Sequence, residues 1–404
     1  MNRKPQWICC QIGGREHYAI ARALNRVGRL SCLVTDYWSD GGLKSKLTNR
    51  IARQLKSRTH PEIPNELVHH FNSGFLKLEA ESRLMNRSGW NAIVQRNDWF
   101  QKMAAGRIKS LMETTNPDLV FSYSYGAKQI FEMAKPLGKR LVLGQVDPGP
   151  FEWQLVDEIH RRHDVPSLEM PPDEYWDDWR TECEMADMIL ANSDWAKQAL
   201  VIQGIPEQKI RIVPLAYQVP SDVVLQQDKL PDTFSNARPL KILYLGQVIA
   251  RKGIVELAEA IEALTDQPVQ WTIVGGGDSK VLSRLRNLSN VVVAGQVDRN
   301  TAVKYYQEAD AFILPTHSDG FAITLLEAAA FGLPIVASSF CGDVVRNDVD
   351  GIVLEEVSSE AIVQAVGKMV SDAPLIQRFQ QAQRQRKFRT IDDLASELVE
   401  LSNE

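Results

Sequence analysis

Asp319 and Glu327 stand eight positions apart in the run Ser318-Asp319-Gly320-Phe321-Ala322-Ile323-Thr324-Leu325-Leu326-Glu327. The run follows the apolar stretch Ala311–Leu314 and Pro315, and it opens a helix. Gly320 lets backbone come close to a ligand. The N–H groups of Phe321, Ala322, Ile323 and Thr324 are first-turn donors at the positive end of that helix, suited to an anion or to sugar hydroxyls. Asp319 precedes the helix and Glu327 lies inside it, so both are expected to face one cleft. Read alone, the default is that Asp319 is a helix cap and Glu327 a solvated helix residue.

Two more loops bear on that choice. Gly246-Gln247-Val248-Ile249-Ala250-Arg251-Lys252-Gly253 ends a strand and brings Lys252 to a helix start, where it is either a point charge for a phosphate or a surface lysine. Gly275-Gly276-Gly277 ends the next strand; alone, such a cluster is turn chemistry. Near the start of the chain, Gly13-Gly14 precedes Arg15 and His17. Both would face the cleft if two domains closed on it, and both also read as structural or solvated first-turn residues. Trp38, after the second strand, either lines an acceptor pocket or packs.

Strands alternating with helices must position these loops. Trp7–Gln11 and Leu30–Thr35 read as strands around a helix Arg15–Val27 that Gly28 stops. The pattern blurs from Gly41 to about Asn116. It resumes with strands Asp118–Ser122, Arg140–Gln145 and Met188–Ala191, and helices Tyr175–Met185 and Asp194–Gln203. Periodicity is lost over residues 219–239, a linker. Lys241–Leu245, Gln270–Val274, Asn290–Ala294, Ala311–Leu314 and Ile335–Ala337 then form a second strand series, and three helices close the chain. The expected fold is α/β: a Rossmann-like domain over 1–218 and another over 240–404, with the last helix able to cross back onto the first. Ligands of such folds bind outside the carboxyl ends of the strands, where these loops lie.

Taken in order and at these spacings, the segments from about Lys241 to Glu355 resemble glycosyltransferase family 4 of the GT-B fold. The family pattern is a G-R-x-x-x-x-K-G loop, a strand ending in G-x-G, and two acids eight apart. It is matched here by Gly246–Gly253 except at Gln247, by Gly275-Gly276-Gly277, and by Asp319 and Glu327 running into Glu327-Ala328-Ala329-Ala330-Phe331-Gly332-Leu333-Pro334. Glu184–Ser193, Lys209–Pro214 and the Gly13-Gly14 loop extend the likeness into the first domain. The resemblance implies a retaining, metal-independent hexosyltransferase using a nucleotide-diphosphate sugar as co-substrate, with no further cofactor. Glu327 would bind the ribose, and Asp319 with the backbone of Phe321 and Ala322 the donor sugar. Lys252 and the helix from Ile323 would hold the diphosphate, with Gly246 and Gly275 in the surrounding loops. The acceptor would be a glycan, a lipid-linked glycan or a small molecule.

Three positions depart from the family: Asp319 replaces a glutamate, Gln247 an arginine, and Asp147 stands where the family often places a histidine. Arg251 or Arg15 is expected to supply the cation that Gln247 does not. The departures motivate a rival reading, a non-catalytic nucleotide-sugar-binding protein of the same fold. A nucleotide-sugar epimerase, which shares the fold, is the third.

Composition narrows the rest. The 404 residues are 44% hydrophobic and 24% charged, with a net charge of −5 that gives no global support to nucleic-acid binding. Five cysteines without a C-x-x-C pair argue against a disulfide framework or a cysteine zinc site and suit a reducing cytosol. The apolar window Phe321–Phe340 contains Glu327 and is broken at Gly332-Leu333-Pro334, so it is not expected to span a membrane. Asp348-Val349-Asp350 reads as a turn rather than a metal-binding pair, and no metal site is expected. Residues 43–58 carry Lys44, Lys46, Arg50, Arg53, Lys56 and Arg58 without an acid, with leucine or isoleucine every fourth position. Such a basic amphipathic helix either docks by its apolar face or meets anionic lipid at the inner face of the membrane.

Overall fold

The computed structural model describes residues 3–39, 55, 58–166, 169–219 and 230–404. Most of the basic stretch 43–58 therefore lies outside the described residues.

The first sheet contains β1 (Trp7–Gln11), β2 (Leu30–Thr35), β3 (Val68–His70), β4 (Leu119–Tyr123), β5 (Arg140–Gly144), β6 (Met188–Ala191) and β7 (Ile210–Ile212), in the order β3-β2-β1-β4-β5-β6-β7. The second contains β8 (Leu240–Leu245), β9 (Val269–Val274), β10 (Val291–Gly295), β11 (Ala311–Leu314), β12 (Ile335–Ser338) and β13 (Gly351–Leu354), in the order β10-β9-β8-β11-β12-β13. Each pairing between these strands is parallel. Helices cover both faces, which is why strands such as β1, β4, β11 and β12 are buried along their whole length. The strand order reverses between β1 and β4 and again between β8 and β11, so each domain opens a crevice at those strand ends.

The C-terminal helix Ile391–Leu401 packs against the first sheet. Ile391, Leu394, Ala395, Leu398 and Leu401 join the core beneath β1, and Trp7 Nε1 donates to Ser402 Oγ at 3.0 Å. β13 follows the turn signals of Asp348-Val349-Asp350 and completes the second sheet beside β12. Among the described residues no helix is long and apolar enough to cross a membrane.

The expected helix Arg15–Val27 is corrected at its start. Its α-helical part begins at Ala19, because Glu16, His17 and Tyr18 hold left-handed angles, with φ of 51°, 50° and 60°. L-residues adopt that conformation at a cost, and it cannot continue a right-handed helix. The turn is tied down from below: Gln11 Nε2 donates to the Gly13 carbonyl at 2.9 Å, and Asp36 Oδ1 accepts from Gly13 N–H at 2.9 Å. Tyr18 then turns inward, edge-on to Trp38, at 5.1 Å between ring centres. Trp38 is buried and donates to Asn65 Oδ1 at 2.8 Å, so it packs rather than lining a pocket.

Candidate functional site

The β8–β11 pairing sets the loop after β8 beside the loop after β11. Ala311 lies opposite Ile242 and Phe312 opposite Leu243. The two chains leave the sheet in contact: a Cβ on Gly253 would fall 1.8 Å from the Pro315 carbonyl oxygen. His317 N–H and Thr316 Oγ1 both bond the Arg251 carbonyl, at 2.9 and 3.1 Å. This register presses Lys252 onto Asp319, and the two form a close ion pair. Lys252 is 8% exposed, far from the surface lysine its local sequence allows.

The glycine cluster has a similar cause. Gly275 and Gly277 hold φ of 150° and 156°, and a Cβ on either would strike the carbonyl oxygens of Gly246 and Val248 at 1.8 and 2.1 Å. Only glycine lets loops 246–248 and 275–277 zip together, with Val248 N–H on the Gly276 carbonyl at 3.0 Å and Asp278 N–H on the Val248 carbonyl at 2.7 Å. The result is a cavity of about 490 Å³ walled by Gly246, exposed Gln247, Gly275, Gln296 and Glu327. Glu327 Oε2 accepts from Tyr306 Oη at 2.9 Å. Tyr306, on the helix Arg299–Glu308, is a positioning group that the sequence did not reveal.

One expectation about the helix Ile323–Ala330 needs correcting. Its first turn has no side-chain cap, but Ala322 N–H donates to the Cys341 carbonyl at 3.0 Å and is not available to a ligand. The strand-to-loop segment after β12 packs under this turn, and Phe321 lies against Gly342, where a Cβ would sit 2.9 Å from its ring. Gly320 comes close to the first domain: its carbonyl accepts from Ser193 Oγ at 2.7 Å, and a Cβ there would lie 3.3 Å from the Val146 carbonyl oxygen.

A second cavity, of about 520 Å³, opens between the domains. Asp147, Glu152, Trp153 and Tyr175 line it from the first, and Ile249, Ala250, Arg251 and Asp278 from the second, with Trp90 completing an aromatic wall. Trp90 lies 5.2 Å from Trp153 and 5.0 Å from Tyr175 between ring centres. Asp147 accepts from Tyr125 Oη at 2.6 Å and Gly149 N–H at 2.8 Å. Burial pushes its carboxyl up; those two hydrogen bonds and the charges of Arg15 and Arg251 oppose the rise.

Glu152 was not singled out by its sequence. It accepts from Ser318 Oγ at 2.7 Å and lies 3.3 Å from Arg251, whose guanidinium also bonds the Ser318 carbonyl. Burial raises its carboxyl to about 7, Arg251 and the Ser318 hydrogen bond oppose the rise, and the charges of Asp147 and Asp319 add to it. Its position after Pro150, in the first turn of the helix that follows β5, was the available signal, since groups at strand ends face the crevice. Arg15 is exposed, with its guanidinium 5.4 Å from the centre of the Tyr123 ring. His17 is also exposed, in the left-handed turn.

The model of the group 1 glycosyl transferases matches residues 226–386, which take in most of the second domain. A putative teichuronic acid biosynthesis glycosyltransferase of Bacillus subtilis is 37% identical over 100 residues, 25% of either chain. The chain spans about half or less of the length of the curated relatives it matches, 52%, 25% and 36% for three of them. The fold extends over the whole chain. The catalytic domain of starch synthase IV from Arabidopsis thaliana, bound to ADP and acarbose, superposes with a TM-score of 0.69 at 12% identity, covering 99% of each chain. An Anabaena protein in complex with UDP gives 0.61 at 14% identity, over 99% of this chain and 100% of that one. Two facing Rossmann-like domains of the GT-B type are thus common to all three folds.

Proposed function

We propose that this chain transfers a hexosyl group from a nucleotide-diphosphate sugar to a hydroxyl acceptor, with retention of anomeric configuration and without a divalent metal at the reacting diphosphate. The observation that carries the reading is the loop 246–253. It lines both cavities, with Gly246 and Gln247 in one and Ile249, Ala250 and Arg251 in the other, and it carries buried Lys252. A nucleotide in the glycine-walled cavity would set its ribose against Glu327 and its diphosphate toward Lys252 and the uncapped helix from Ile323. The starch synthase relative in fold binds ADP and the Anabaena one UDP, in keeping with a nucleotide there and with either base.

Charge develops on the leaving phosphate as the glycosidic bond breaks. A preorganised ammonium in a site of low polarity stabilises that charge without reorganisation. Lys252 now rests against Asp319, and a bound diphosphate would draw the ammonium while Asp319 takes hydroxyls of the sugar. The departing phosphate oxygen can accept the proton of an acceptor attacking from the same face, so no protein base is required at Asp147. The aromatic wall of Trp90, Trp153 and Tyr175 suits the apolar face of a saccharide, and Asp147 and Glu152 can accept its hydroxyls. Such an acceptor is a glycan, free or lipid-linked.

The test is to incubate the purified chain with a panel of nucleotide-sugars, measuring melting shifts, donor consumption and the anomeric configuration of any glycosylated product. A donor at 100 times its Kd should stabilise the chain by about 2.7 kcal/mol. Stabilisation without donor hydrolysis or transfer would favour the non-catalytic binding protein. Interconversion of the sugar without transfer would favour the epimerase. An inverted product would overturn the mechanism.

A further inference from the structure

His163, Glu256 and His317 come from three separate elements and meet between the domains. His163 follows the helix Pro150–Arg162 of the first domain, Glu256 lies on the helix Ile254–Ala263, and His317 is in the loop after β11. Both imidazoles address one carboxylate oxygen: His163 Nε2 lies 2.8 Å and His317 Nε2 2.6 Å from Glu256 Oε1. The other oxygen, Oε2, is buried with no hydrogen-bond partner. Glu256 and His317 are 4% and 8% exposed, and the His163 side chain 12%. A buried carboxylate oxygen without a partner is costly, so a set that crowds two donors on one oxygen and none on the other is incomplete as it stands.

A divalent cation would complete it. The three groups offer ligand atoms all within 4.8 Å of one another. Two neutral imidazoles and one carboxylate form a common three-ligand set for zinc, with a water in the fourth place. Ligands about 2.0–2.1 Å from a tetrahedral ion lie about 3.3 Å apart, so each hydrogen-bonded pair need open by only about half an ångström or a little more. The ion would replace the protons now shared with Oε1 and leave Oε2 free for the ion or its water. All five cysteines are buried and none belongs to the group, so the binding site is defined by these residues alone.

We propose that His163, Glu256 and His317 bind one zinc-class divalent cation that ties the two domains together. The ligands are not part of the transfer scheme, and no step of that reaction runs through the ion. Its role is mechanical. It would fix the helix that carries Glu152 against the loop that leads into Asp319, and so set the opening of the cleft.

The full chain, stripped with chelator, is titrated with Zn²⁺ alone by calorimetry, and with Co²⁺ for the visible absorption of a tetrahedral site. His163→Gln and His317→Gln are titrated beside it after circular dichroism shows that they fold. The expected result is one equivalent bound by wild type, a rise in its melting temperature, and affinity lower by at least about tenfold in each variant. His163 is the least buried ligand, so its variant keeps the test decisive if His317→Gln does not fold. No stoichiometric binding, or equal binding by wild type and His163→Gln, overturns the site and leaves a hydrogen-bonded domain contact. None of these readouts needs a sugar donor, so they stand apart from the fate of the transferase reading.

Discussion

Lys252 and Asp319 form an ion pair across 67 positions of chain, with only 10% and 22% of their side chains exposed. The pair joins the loops after β8 and β11 at the point where strand order reverses. It makes Asp319 the resting partner of the ammonium proposed to meet the leaving phosphate. Lys252→Ala should lower turnover by about 10²-fold or more, since a charge aimed at the developing anion is lost. Asp319→Asn should leave nucleoside diphosphate affinity near wild type while slowing transfer. Steady-state kinetics with calorimetry for the diphosphate checks both. Wild-type turnover in Lys252→Ala would move the phosphate site elsewhere.

Glu327→Gln should weaken donor binding by about 1.5–3 kcal/mol, the loss of charge-assisted hydrogen bonds to a ribose. Tyr306→Phe removes the phenol that holds Glu327 Oε2 and should weaken donor binding less, without changing which base is preferred. Calorimetric titration with the donor reads both. Unchanged affinity in Glu327→Gln takes that carboxylate out of the ribose role.

Gln247 is exposed at the rim of the nucleotide cavity, and Arg251 is held by Glu152 and the Ser318 carbonyl. Arg15 is therefore the better candidate for a second cation on the diphosphate. Gln247→Arg should lower activity in an otherwise wild-type chain by crowding Arg15, and should be harmless when combined with Arg15→Ala. If Gln247→Arg raises turnover by itself, Gln247 is only a weaker contact and Arg15 has no part in it.

Transfer should persist in excess chelator without added magnesium, because Lys252 and a helix end are proposed to carry the charge otherwise given to a metal. The readout here is whether transfer persists and whether magnesium changes it; loss of a cation from His163, Glu256 and His317 would lower the melting temperature, and magnesium would not restore it. Complete loss of turnover, restored by magnesium, would refute the charge scheme.

Glu152 gives a pH signature. Its folded carboxyl titrates at about 7, above the ordinary value of 4.5, so the folded chain binds the extra proton in that window. Stability should therefore fall as pH rises from about 4.5 to 7, by an amount on the order of 3 kcal/mol for this group. Glu182, likewise raised to about 7 by burial against its three backbone hydrogen bonds, contributes a slope of the same sign. Urea unfolding of wild type and Glu152→Gln at pH 5 and pH 7 separates them: the variant should lose Glu152's share and keep that of Glu182. Identical slopes would show that Glu152 is not titrating there.

The sequence by itself determined what short-range pattern can carry. Strands such as Trp7–Gln11, Leu30–Thr35 and Ala311–Leu314 fall where short apolar runs are bounded by glycine or proline: Gly13 after the first, Gly28 before the second and Pro315 after the third. The same local logic located the glycine loops and the helix start below Asp319. It failed where a local rule was overridden from a distance: Gly13 is bound by Asp36, and Tyr18 seats on Trp38, so a helical pattern begins in left-handed turns. It also stopped short of β13, because Asp348–Gly351 carries strong turn signals and the strand exists only by pairing with β12. Partnership was decided by tertiary structure alone. His163 and His317 reach Glu256 from 93 and 61 positions away, and Glu152 meets Ser318 from 166. Nothing in their neighbourhoods announces this, because parallel strand order and the facing of two sheets, rather than residue spacing, bring those loops to one cleft.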